Sequence, residues 1–84
     1  MKRNARTRLA PLLLDIGAKL SELRMKRGYD TISGFANEYS LPPIHYWRIE
    51  KGKANLTIKT LVKLLAIHQM TVDEFFCFVD DYDA

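Results

Sequence analysis

The positions that could do the most chemistry lie between Pro43 and Asn55. The run Pro43-Ile44-His45-Tyr46-Trp47-Arg48-Ile49-Glu50 places an imidazole, an indole and a guanidinium within four residues, and Lys51-Gly52-Lys53-Ala54-Asn55 adds two more cations. Successive residues of a helix turn by about 100°. Tyr46 and Ile49 then share an inner, apolar side, and Pro43, Ile44, His45, Trp47 and Arg48 are left outside. Lys51 and Lys53 follow behind them, and an outer face of this kind suits a polyanionic partner. Catalysis has no comparable set of residues. There is no Gly-rich phosphate loop, no Cys/His cluster and no hydroxyl nucleophile with an evident base. The chain is therefore read as no enzyme, with no metal and no cofactor implied. His45 and His68 have no partner at ligand spacing. His68 ends an apolar helix face and is expected to be partly buried. Cys77 has Phe and Val nearby and no cation to lower its pKa, so it is read as a packing residue.

The charge is distributed unevenly. All 13 Lys and Arg and half of the 10 acids fall in residues 1–63, a balance of +8, and residues 64–84 carry the other acids and no base, a balance of −5. A body basic over most of its length and acidic at its end suits a polyanion approached in one orientation. Composition places the chain among ordinary globular domains: 48% hydrophobic and 27% charged residues argue against disorder, and 84 residues suffice for one domain only. A single cysteine excludes an intramolecular disulfide and favours a reducing compartment. No apolar stretch approaches the roughly 20 residues that cross a bilayer. Leu12 to Leu14 is too short for a signal-peptide core of about 7–15 residues. A cytoplasmic location is expected, with no membrane association and no ligand-sensing domain.

The elements that must position these groups are helices, because alternation at period two never persists and no hairpin turn sequence occurs. Residues 1–10, with Lys2, Arg3, Arg6 and Arg8, read as a basic arm, residues 11–79 as the folded domain and residues 80–84 as an acidic tail. Pro11 suits the first turn of a helix running from about Leu12 to Arg27, with Leu13, Ile16, Leu20 and Leu23 on its inner face. Gly28 stops it. A short second helix spans about Thr31 to Glu38, capped by Asp30 or Thr31, with Phe35 and Ala36 as its apolar face. Tyr39-Ser40-Leu41 form a tight turn, and Pro42 and Pro43 open a third helix that ends at Gly52. The fourth runs from near Thr57 to Ile67 or His68, with Ile58, Leu61, Leu64, Leu65 and His68 at helical spacing. Thr71-Val72-Asp73-Glu74 is a capping box for the fifth, which carries Val72, Phe75, Phe76 and onward to Phe78 and Val79.

Five short helices, with the second and third joined by about three residues, form the layout of a helix-turn-helix reader of duplex DNA. The third helix must project into a major groove about 12 Å wide, be locked from behind by apolar contacts and carry groups that reach bases and phosphates. The stretch from Ile16 to Phe76 resembles the lambda-repressor-like, XRE/Cro-type helix-turn-helix family. The matching pieces are Ile16-Gly17, Leu20, Glu22-Leu23-Arg24, Arg27-Gly28, Phe35-Ala36 and Arg48-Ile49-Glu50-Lys51-Gly52. Thr57-Ile58-Lys59-Thr60-Leu61, Lys63-Leu64 and Val72-Asp73-Glu74-Phe75-Phe76 complete the set. Tyr46-Trp47-Arg48 ahead of Glu-Lys-Gly is similar to a bacterial branch. The resemblance implies a compact all-α five-helix domain that binds double-stranded operator DNA as a transcription regulator and usually as a dimer. It also implies a structural salt bridge between Arg24 and Glu50.

DNA contacts are expected at Pro43, Ile44, His45, Trp47 and Arg48 on the outer face, at Lys51 and Lys53 on backbone phosphates, and at Thr31 and Asn55 beside them. The chain departs from the family at the start of helix two, where Thr31 and Ile32 stand in place of a phosphate-binding Gln. It departs again at Ser40, where Gly is usual in the turn, and at Pro42, where Ser usually caps helix three. Pro43, Ile44 and His45 include none of the Arg, Gln or Asn that read bases through paired hydrogen bonds. Ile44 can meet a thymine methyl, and His45 a base or a phosphate. Trp47 has two placements open to it, on the DNA backbone or under the 51–56 loop as core. The arm has two as well, in the adjacent minor groove or in solvent. Phe75, Phe76 and Phe78 either close the monomer core or form a homodimer seam. A rival reading makes helix three a protein-interaction surface, as in the antitoxin of a toxin–antitoxin pair, with Pro43, Ile44 and Trp47 as its apolar patch.

Overall fold

The structure is a computed structural model that describes residues 5–78, with side chains from residue 9 to residue 77. Five helices follow in order: α1 Ala5–Lys26, α2 Ile32–Glu38, α3 Pro43–Glu50, α4 Ile58–Ile67 and α5 Val72–Phe78. No strand occurs among the described residues, so the all-α class read from the sequence is the class observed. Among the same residues no helix is long and apolar enough to cross a membrane.

Four of the five helices start where the sequence places them, for identifiable reasons. Thr31 caps α2, its hydroxyl accepting from the Gly34 N–H at 3.1 Å. Thr57 caps α4 by accepting from the Thr60 N–H at 3.1 Å. Thr71 and Glu74 bond reciprocally, each side chain accepting the other's backbone N–H, which is the capping box expected for α5. Pro42 precedes α3 without a side-chain cap, and the proline at the first helical position has no N–H to leave unsatisfied.

The start of α1 is a correction. The helix begins at Ala5 rather than near Leu12, and Pro11 lies inside it. Arg and Leu are good helix formers and Ala the best, so residues 5–10 can extend the helix N-terminally. Pro11 sits in the second turn, where it removes the bond its N–H would give to the carbonyl four residues back and its ring crowds that carbonyl. The arm expected over residues 1–10 is therefore helical from Ala5 onward. Residues 1–4, Val79 and the acidic tail lie outside the described residues.

Every helix contributes to one core. Ile16 and Leu20 of α1, Phe35 and Ala36 of α2, Tyr46 and Ile49 of α3, Leu61, Leu64 and Leu65 of α4 and Phe75 of α5 are buried, together with Leu41 from the turn. Three expectations change here. Leu12, not Leu13, packs on this cluster, because a run of Leu12, Ile16 and Leu20 keeps the same face turn after turn. Ile58 shares the helical angle of Leu61 and Leu65 but occupies the first residue of α4, beyond its packing neighbours, and is 65% exposed. Cys77 is exposed and not a packing residue.

Four helix ends close in the same way. Tyr29, Leu41, Lys53 and Met70 donate their N–H to the carbonyls of Arg24, Ala36, Arg48 and Leu65, five residues back. The residues before them, Gly28, Ser40, Gly52 and Gln69, donate to carbonyls three back. This is the Schellman closure, which requires a left-handed residue at its penultimate position. Gly28 and Gly52 take that conformation without cost, whereas Ser40 (φ 56°) and Gln69 (φ 55°) take it against the steric preference of a side chain.

Gly17 sets how closely α1 approaches α3. A Cβ at this position would collide with the Glu50 carbonyl oxygen and lie 2.7 Å from that of Ile49. Helix propensity alone favours Gly17→Ala by about 1 kcal/mol, but the obstacle is backbone and cannot turn aside. The steric effect wins, and Gly17→Ala is expected to lower unfolding free energy by about 2 kcal/mol or more in urea titrations. An unchanged or raised midpoint would refute this account of the α1–α3 contact.

His68 is partly buried, as expected, with its ring stacked flat on Phe35 at 5.6 Å and 5°. Burial, with a smaller contribution from the Arg27 guanidinium, holds its pKa below the ordinary 6.5, and the Glu50 carboxylate only partly opposes this. The folded chain thus binds this proton less readily than the unfolded chain. Stability is full above about pH 6.5 and falls as pH drops from there through the depressed value. Thermal melting between pH 7.5 and pH 5 should show this loss, and His68→Phe, which retains the stack, should lose less over the same range.

Candidate nucleic-acid interface

The eight residues of α3 are divided sharply by side. Tyr46, Ile49 and Glu50 are buried, while Pro43, Ile44, His45, Trp47 and Arg48 are exposed. The inner side is held at several points. The Tyr46 ring packs on Phe35 with centroids 5.2 Å apart. At the C-terminal end, Arg24 grips Glu50 through two bonds, Nε to Oε2 at 2.9 Å and Nη2 to Oε1 at 3.1 Å, so the pair implied by the resemblance is present. Both side chains are almost fully enclosed. Arg24 also donates Nη1 to the Tyr29 carbonyl at 2.8 Å and Nη2 to Ser21 Oγ at 3.3 Å. One guanidinium therefore joins α1, the turn before α2 and the end of α3. Its bonds to Glu50 raise its pKa further. The Tyr46 hydroxyl is enclosed beside this pair without a hydrogen bond of good geometry. Burial first, and the Glu50 carboxylate second, push that phenol far above its ordinary range.

The outer side has two flanks. Toward α2, Thr31, Ile32, Ser33, Pro43, Ile44 and Trp47 line an open apolar cleft of about 310 Å³. Ile44 is 76% exposed and Trp47 40%. Toward α4, His45 opens onto a hollow of about 200 Å³ shared with Pro42, Thr60 and Lys63. His45 therefore stands apart from Ile44 and Trp47, although the three lie within four residues.

Positive charge gathers at the end of α3. The Lys53 and Lys51 ammonium groups lie 5.7 and 6.0 Å from the centre of the Trp47 ring, within cation–π range. Trp47 is neither core nor bare surface: it is a half-exposed platform beneath two cations. Arg48 donates Nη2 to the Lys53 carbonyl at 3.0 Å, and its own carbonyl accepts the Lys53 N–H at 2.8 Å. It is a brace for the loop as well as a surface charge. None of Arg48, Lys51 and Lys53 pairs with a carboxylate among the described residues.

Of the residues singled out from the sequence, Thr31, Pro43, Ile44, Trp47, Arg48, Lys51 and Lys53 occupy one continuous side of the molecule. Asn55 is exposed in the loop that follows. Ser33 and Lys63 join the two flanks without having been marked. No local pattern identifies them, because the packing of α2 and α4 beside α3 brings them there. Phe75 is fully enclosed in the core of a single chain and Phe76 is partly buried, so of its two readings Phe75 takes that of closing the monomer core. The Phe78 side chain lies outside the described residues. Among those residues no group of three or more His, Cys, Asp or Glu stands close enough to hold a metal ion.

Comparison of the chain with protein-family models, with curated proteins and with solved structures gives no match in any of the three.

Breaking the enclosed Arg24–Glu50 pair from one side leaves a charge without its partner, at a cost of about 3–5 kcal/mol. Glu50→Ala should therefore unfold at much lower urea concentration than the parent, and a variant that melts like the parent would contradict the role assigned to this pair.

Proposed function

We propose that the chain is a DNA-binding transcription regulator of the lambda-repressor-like, XRE-type helix-turn-helix kind, with α2 and α3 as the helix-turn-helix and α3 in the major groove. The observation that carries the proposal is the outer side of α3. A rod of eight residues, about 12 Å long, is fastened from behind by Tyr46, Ile49 and Glu50. It turns outward an apolar face that ends in three cations that pair with no carboxylate among the described residues. The cations supply affinity and register on phosphates, and the apolar residues face the base edges. A symmetric dimer would place two such rods about 34 Å apart along one face of the duplex.

The exposed apolar group Ile44, Pro43 and Trp47 is also what the rival reading, a protein-interaction module of antitoxin type, would use. Their dependence on salt separates them. Phosphate contacts make affinity fall steeply with salt, with a log–log slope of about −3 per chain for three neutralised phosphates, whereas an apolar protein contact is nearly indifferent to salt.

Selection of bound duplexes from a random library, followed by anisotropy titrations between 50 and 200 mM salt, tests the proposal at the order of magnitude expected. Arg48→Ala and Lys51→Ala should weaken all sequences about equally, and Ile44→Ala should change which sequences are chosen. A palindrome in the selected set is the expected mark of the dimer. No retained duplex at the lower salt concentration, or binding that ignores salt, would overturn the reading.

A further inference from the structure

We infer that the cleft between α2 and α3 reads the C5-methyl group of a pyrimidine in the major groove, so that the protein selects thymine, or 5-methylcytosine, by its methyl rather than by hydrogen bonds. The inference rests on the DNA-binding reading above and names what that site recognises.

The argument begins with what the exposed side of α3 lacks. Bases are told apart in the major groove by donor and acceptor pairs, which Arg, Lys, Asn and Gln satisfy two at a time, and by one apolar mark, the C5-methyl group. Pro43 and Ile44, in the first turn of α3, carry no side-chain donor or acceptor. Arg48 is turned onto the Lys53 carbonyl, and the Lys51 and Lys53 ammonium groups are gathered over Trp47. All three stand at the far end of the helix, where phosphates are the nearer partner. His45 opens on the opposite flank.

The cleft has the complementary properties. Ile44 stands 76% exposed on its wall, against Pro43, Ile32 and the Trp47 ring. The Thr31 hydroxyl oxygen already accepts the Gly34 N–H, and the Thr31 and Ser33 hydroxyls are the polar groups of an otherwise apolar lining. A volume of about 310 Å³ is ample for methyl groups. The cations on its Trp47 side favour a polyanion over an apolar peptide as the occupant, because a duplex seated on α3 brings phosphates to Lys51 and Lys53 as it brings a base edge to Ile44.

The methyl is common to thymine and 5-methylcytosine and absent from uracil and cytosine, which provides the test. The full chain is titrated with an alternating A·T duplex and with the same duplex carrying deoxyuridine for thymidine. An alternating G·C duplex is titrated in parallel, with and without 5-methylcytosine. Each buried methyl is worth about fourfold in affinity. Deoxyuridine should therefore weaken binding about fourfold per contacted methyl, and cytosine methylation should strengthen it by a similar factor. Ile44→Ala, at a position too exposed to affect folding, should abolish both differences and leave the salt slope unchanged. Equal binding of the methylated and unmethylated duplexes would overturn the inference while leaving DNA binding standing. A methyl preference that survives Ile44→Ala would overturn the assignment to this cleft. Failure to bind any of the four duplexes would overturn this inference, and the library selection decides the reading beneath it.

Discussion

The Arg24 guanidinium stands where α1, the turn before α2 and the end of α3 converge, and the orientation of the outward rod depends on it. It holds Glu50 through two bonds, the Tyr29 carbonyl through a third and Ser21 through a fourth. A planar fork with five donors can satisfy several acceptors in fixed directions, which an ammonium cannot. Gly17 completes the fit by letting the α1 backbone pass directly against the Glu50 carbonyl. The last turn of α3 is thus fixed by charge on one side and by close backbone approach on the other. A buried pair of this kind adds little net stability over an apolar substitute. Its value here is directional, since it specifies the angle at which α3 leaves the body.

The shared closure of the helix ends serves the same purpose. Helices of seven, eight and ten residues are too short to persist alone, and each must be defined by its ends and by its packing. Threonine hydroxyls define the starts of α2 and α4, and left-handed residues define the ends of the first four helices. Ser40 bears a steric cost there, at the turn between α2 and α3. The ring of Phe35 on the preceding helix repays some of it in contacts with Tyr29, Tyr39, Tyr46 and His68. Phe35 is the centre of that aromatic group, and it links the turn, the rod and the end of α4.

The outer surface follows from this rigidity. With the inner side of α3 committed to the core, the remaining residues have one direction open to them, and their types set what the surface offers. Apolar groups occupy the first turn and cations the last turn and the loop. The Trp47 ring lies between, with two ammonium groups within cation–π distance of it. Arg48, bound to the loop carbonyl, keeps Lys53 close to that ring.

Much of this was legible in the residues themselves. The reciprocal Thr71–Glu74 cap, the threonine starts of α2 and α4, the glycine stops at 28 and 52 and the two-sidedness of α3 are local matters, decided by side chains within four positions of one another. The sequence by itself determined the number and order of the helices and all their starts but that of α1, the two sides of α3 and the cluster of cations behind it. Tertiary structure alone decided the rest. It left Ile58 bare at the start of α4, enclosed Phe75 and exposed Cys77. It separated His45 from Ile44 onto different flanks, brought Ser33 and Lys63 alongside and turned Arg48 onto the loop. Each of these depends on which surface lies opposite, and periodicity along one helix carries no record of the helix that packs against it.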